Sequence, residues 1–71
     1  MKNEYTLYIK QVNCDKYITV IINAVSNNTN DIVISSVCDN YSQDDAKQQL
    51  LSVITSLRKD HRATAVTLCE E

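Results

Sequence analysis

Residues 41–62 read YSQDDAKQQLLSVITSLRKDHR, and the chain changes its hydrophobic period inside this stretch. Ala46, Leu50, Val53, Ile54 and Leu57 recur at spacings of three and four, which lines them along one side of a helix with Leu51 at its margin. The spacing predicts a helix over residues 43–60. Ser42 stands where a side-chain oxygen can accept from a free amide of the first turn. Asp45 holds the reciprocal capping-box position, and Asp44 lies against the positive end of the helix dipole. Arg58, Lys59, His61 and Arg62 complement the opposite end.

Upstream of Tyr41 the period is two. Tyr5, Leu7 and Ile9 alternate with Thr6, Tyr8 and Lys10, giving a strand over residues 4–12, and Asn13, Cys14, Asp15 and Lys16 interrupt it. The β-branched run from Tyr17 to Val25 is a second strand with apolar groups on both faces, as a central strand has. The turn-rich segment Ser26–Asp31 then leads into a third strand, Ile32 to Cys38. Downstream of the helix, Ala63 to Cys69 alternates as a short fourth strand. The expected fold is therefore α+β: a single β-β-β-α-β domain over residues 1–71, with a three-stranded antiparallel meander, a fourth strand and one helix on one sheet face. A right-handed crossover through the helix places the fourth strand beside the first, in sheet order 3-2-1-4 with one parallel pair.

One helix shields one face. Leu7, Ile9, Ile18, Val20, Ile22, Ile32, Ile34 and Val66 are expected beneath it, while Tyr8, Ile21, Val33 and Val37 are expected to point outward as a contiguous apolar patch. A flat face of this kind, rimmed by Thr and Asn, suits contact with a protein better than it suits a small-molecule cleft.

A chain of 71 residues has room for one core. It buries only about 60% of the surface its unfolded form exposes, which favours self-association, and a homodimer is expected. The net charge of −2 provides no overall field for phosphate backbones. Gly is absent, which removes the glycine loops that cradle phosphates and leaves the turns to Asn and Asp. No apolar run approaches the roughly 18 residues of a membrane helix, and MKNEYTLYIK lacks a signal-peptide core, so the expected location is cytoplasmic, away from membranes.

The chemistry-bearing residues are sparse. Cys14, Cys38 and Cys69 with His61 match a zinc set in number but not in spacing. Cys38 and Cys69 read as small buried hydrophobes near strand ends, and Cys14 as a turn thiol. A thiol nucleophile paired with His61 lacks an identifiable orienting group. The adjacent acids Asp44-Asp45 and Glu70-Glu71 diverge from any common reaction centre. No catalytic residue, metal ligand or cofactor site is assigned, and the expectation is a chain that is not an enzyme.

The element order resembles the opening half of a ribonuclease H-like fold, whose nucleases carry an essential acid on the first strand, where this chain has Thr6, Tyr8 and Lys10. The order, with Tyr41-Ser42-Gln43-Asp44-Asp45-Ala46 leading into the helix, also resembles the HicB-type antitoxin domain. That resemblance implies a regulator; the Pro- and Gly-bearing loop of that family has no counterpart here. In size and composition the chain is similar to accessory inhibitors of bacteriophages and other mobile elements. The function expected from the sequence is a protein-binding module that regulates or inhibits a macromolecular partner, with Tyr8, Ile21, Val33 and Val37 as its contact residues. The alternative is a nucleic-acid-associated or antitoxin-like regulator that uses Arg58, Lys59 and Arg62 on phosphates or an acidic partner.

Overall fold

Three runs rich in β-branched and aromatic residues, separated by turn segments, occupy the first forty positions. In the computed structural model, which describes residues 2–71, they form β1 (Glu4–Cys14), β2 (Tyr17–Ser26) and β3 (Ile32–Asn40). Helix α1 (Gln43–Asp60) and strand β4 (Ala65–Glu70) follow. The sheet is four-stranded in the order β3-β2-β1-β4, with β1–β4 parallel and the other pairs antiparallel. This is the α+β architecture and strand order that the periodicity predicts. Among the described residues, no helix is long and apolar enough to cross a membrane.

The turns depart from expectation where a residue enters the left-handed region. Asp15 adopts φ 45°, so β1 and β2 close over Asp15-Lys16 alone, and Asn13 and Cys14 join the ladder opposite Ile18 and Tyr17. Asn30, at φ 61°, closes the second turn, where its N–H donates to Ser26 O at 2.7 Å. Arg62 exits the helix at φ 52°, and the Ala63 N–H turns back to Leu57 O at 3.0 Å. Ala63 is thereby held at the helix end, and β4 begins at Ala65 rather than at Ala63.

The Ser42 half of the capping box forms as the sequence indicates, with Ser42 Oγ accepting from the Asp45 N–H at 3.2 Å, while among the described residues the Asp45 carboxylate does not return a bond to the Ser42 N–H. Its apolar stripe buries Val53 and Leu57 against Tyr5, Leu7, Val20, Ile22 and Ala24. Leu7, Ile22 and Leu57 are fully buried, each contributing about 1.5–3 kcal/mol of transfer free energy. Tyr5 lies in this core with its hydroxyl donating to His61 O at 3.4 Å.

Ile32 is not under the helix. A register shift in the β2–β3 ladder between Ala24 and Val25 pairs Ile32 with Val25, and Ile32 is 62% exposed. Val33, expected outward, instead packs half-buried against the core. An extra residue in one strand breaks the strict alternation on which the sequence reading relies. Cys38 and Cys69 likewise differ from expectation: both are exposed, because β3 and β4 are the edge strands.

The molecule is an elongated slab of 44 × 20 × 14 Å with a radius of gyration of 12.4 Å. A chain of this length ordinarily has a radius near 11 Å. Its accessible surface is 5002 Å², whereas a monomer of this mass typically exposes about 4,500 Å². The surplus comes from a single helix lying on a sheet longer and wider than itself.

Candidate interaction surfaces

On the sheet face opposite α1, the register brings side chains together in rows. Lys10, Ile21 and Val37 form one row; Tyr8, Asn23 and Ser35 form the next, with Cys69 beside Tyr8 on β4. Val12, Thr19 and Asp39 form a third, and Thr6, Val25 and Ile32 a fourth. Tyr8 is 42% and Val37 66% exposed, while Ile21 is half-buried between its neighbours.

The face is therefore apolar but not continuous. Polar groups interleave with the hydrophobic ones and satisfy one another: Ser35 Oγ donates to Asn23 Oδ1 at 2.9 Å, and Thr19 Oγ1 donates to Asp39 Oδ1 at 2.6 Å. Of the four residues expected on this patch, Tyr8, Ile21 and Val37 face it together, and Val33 belongs partly to the core. Two further residues extend the face at the hairpin end: the rings of Tyr17 and Tyr41 lie 5.1 Å apart. The Tyr41 hydroxyl, then desolvation and the nearby Asp39 carboxylate push the Tyr17 phenol above its usual pKa.

A second candidate surface is an open, shallow concavity between the β3 edge and the helix. It has a volume of about 630 Å³, with Ile34, Ser36 and Cys38 on the strand side and Asp45, Gln48, Ser52 and Ser56 on the helix side. Its inner wall is a polar network. Gln49 Nε2 donates to Val20 O at 3.0 Å and to Ser36 Oγ at 3.2 Å, while Gln49 Oε1 accepts from Asn40 Nδ2 at 3.0 Å. Asn40 is only 4% exposed, and its amide also reaches Ile18 O at 3.3 Å. Sequence periodicity places Asp45, Gln48, Ser52 and Ser56 on the polar flank of the helix, at spacings of three and four. The cleft itself requires the lateral position of α1, which periodicity does not specify.

Arg58 and Lys59 occupy the exposed last turn of α1, and Arg62 follows the cap. The Arg62 carbonyl accepts from Asn3 Nδ2 at 3.3 Å, so this corner is tied to the start of the sheet. His61 is the C-cap residue, and its ring meets Tyr5 edge-on at 6.1 Å. The structure separates it from the thiols. Cys38 pairs with Val20, toward the other end of the sheet, and Cys69 pairs with Tyr8 on the face away from the helix. Among the described residues, no three His, Cys, Asp or Glu side chains gather as a metal-binding group.

No protein-family model, curated protein or solved structure matches the chain.

Proposed function

We propose that this chain is a non-enzymatic protein-binding module: it pairs with a second copy through its open sheet face and regulates or inhibits a macromolecular partner by occupying that partner's surface. The observation that carries the reading is the sheet face left uncovered by the single helix, with Tyr8, Ile21 and Val37 presented together. The two long dimensions, 44 and 20 Å, bound a face of about 900 Å², close to the roughly 800 Å² per partner of a standard interface. Two such faces stack as a sandwich with about 10 Å between the sheets, which leaves both helices outside. Lys10 and Asp39 flank the apolar positions and supply the polar rim such contacts carry.

Dilution of the ¹⁵N-labelled protein tests this reading. Chemical shifts of Tyr8, Ile21 and Val37 are expected to move as the dimer dissociates, while those of Leu51 and Thr55 on the outer side of α1 stay fixed. Shifts that are independent of concentration across the sheet contradict it.

Exposure of Arg58, Lys59 and Arg62 at one corner favours a second reading, a nucleic-acid-associated regulator. Phosphate contacts require affinity to fall steeply with ionic strength, so absence of binding to an oligonucleotide at low salt removes this reading.

A further inference from the structure

The strand β3 is an edge of the sheet, and its free side borders the cleft beneath α1. The direction in which its backbone groups point follows from the hairpin. Cys14 and Tyr17 flank a two-residue turn and so form a hydrogen-bonded pair, and ladder bonds alternate from there. The even-numbered residues of β2 consequently face β3, where they pair with Asn40, Cys38, Ser36 and Ile34. Ser35, Val37 and Asp39 are left with N–H and C=O groups directed away from the sheet, the Asp39 carbonyl accepting only a weak bond from Cys38 Sγ at 3.7 Å. An unpaired edge of this kind is a template for another strand.

The helix side of the cleft is shaped to accept one. Asp45, Gln48, Ser52 and Ser56 line it along twelve residues of α1, a length of about 17 Å. That length matches about five residues of extended chain. The small hydroxyl side chains of Ser52 and Ser56 leave the space open, and Ile34 and Val53 offer apolar contact within it. The sole charge among the lining residues is the carboxylate of Asp45, near the end of the cleft where β3 finishes and α1 begins.

We propose that the cleft between β3 and α1 binds an extended segment of a partner protein as an added antiparallel strand, with a Lys or Arg side chain of that segment set against Asp45. Because β3 runs toward the Asp45 end, the basic residue lies near the N-terminal end of the segment. Alternate side chains enter the cleft, where small apolar or hydroxyl-bearing residues meet Ile34, Val53 and Ser52. Main-chain bonds to the edge supply affinity, and the cleft selects side chains. This inference rests on the reading of the chain as a protein-binding module, and it assigns the partner to a surface that adjoins the open face proposed to pair two copies and shares Ser35 and Val37 of β3 with it.

The test pans a phage-displayed library of random decapeptides on the immobilised protein and titrates the resynthesised winners into ¹⁵N-labelled protein. Selected sequences are expected to share a basic residue followed by β-branched or small residues, to shift the amides of Ser35–Asp39 and Gln48–Ser56, and to slow hydrogen exchange at Ser35, Val37 and Asp39. Ser52→Phe, which fills the cleft from an exposed helix position, is expected to weaken binding by about tenfold or more without lowering helicity. Asp45→Lys is expected to exchange the preference for a basic residue for an acidic one. Selection of no sequence above the starting library overturns the proposal. Peptides that move Tyr8, Ile21 and Asn23 while leaving the cleft unmoved also overturn it, although the binding-module reading survives that result. A dimer that Ser52→Phe dissociates shows the cleft to be filled by a second copy, and overturns it as well.

Discussion

Three residues carry the conformational load that glycine bears in most turns, and they differ in how well they suit it. Asp15 and Asn30 are among the residue types that tolerate the left-handed region, whereas Arg62 at φ 52° has no such compensation. Replacing Arg62 with Gly is expected to stabilise the fold by about 1 kcal/mol, and Asn30→Gly by only a few tenths, both read from urea midpoints. The use of Asp and Asn in turns is legible in a chain without Gly. Arg62 is not, because nothing in its chemistry marks the conformation that the helix exit and the Asn3 contact impose. A second expectation at this scale concerns Tyr17, whose raised pKa arises from Tyr41, desolvation and Asp39, in that order. A folded-state phenol pKa above the unfolded value means that the native state holds its proton longer. The corresponding stability is present below pH 10, the ordinary phenol value, and is lost as the pH rises through the folded-state pKa. Absorbance titration at alkaline pH is expected to show one phenol ionising late, and Tyr41→Phe is expected to return it toward the ordinary value.

At the scale of elements, the helix is held at its start by a cap and along its inner flank by Gln49. Ser42→Ala removes the oxygen that receives the Asp45 N–H and is expected to cost about 1 kcal/mol in thermal or urea unfolding. Gln49→Ala takes away the acceptor of the buried Asn40 amide and the donor to Val20 O and Ser36, and is expected to cost about 1–3 kcal/mol. Ser52→Ala, on the open wall of the cleft, is expected to change stability by less than about 0.5 kcal/mol. The limits of α1 were readable because the period switches at Ser42 and the apolar stripe stops at Leu57. The exchange of Ile32 and Val33 was not, since a register shift adds a residue without altering composition or pattern on either side. The cleft was hidden for a related reason: Asp45, Gln48, Ser52 and Ser56 look like an ordinary solvated flank until β3 is placed beside them.

The whole molecule is more extended and more exposed than its length requires, because its one helix lies over β2 and β3 and covers only part of a long, narrow sheet. The sequence pattern discloses this imbalance in advance through β2, whose apolar residues lie on both faces while only one stripe of helix exists to cover them. What the pattern cannot convey is the interleaving of Asn23, Ser35, Thr19 and Asp39, which depends on cross-strand register. On the proposed reading, that interleaving lets a face that pairs two copies stay exposed to water in the single chain. The most direct test is sedimentation equilibrium of the wild-type protein beside the double variant Ile21→Asp, Val37→Asp. The wild type is predicted to approach about twice the chain mass of 8.1 kDa as concentration rises, and the folded variant to remain at the mass of one chain. A wild-type mass of one chain at every concentration, or a dimer indifferent to both substitutions, would contradict the account.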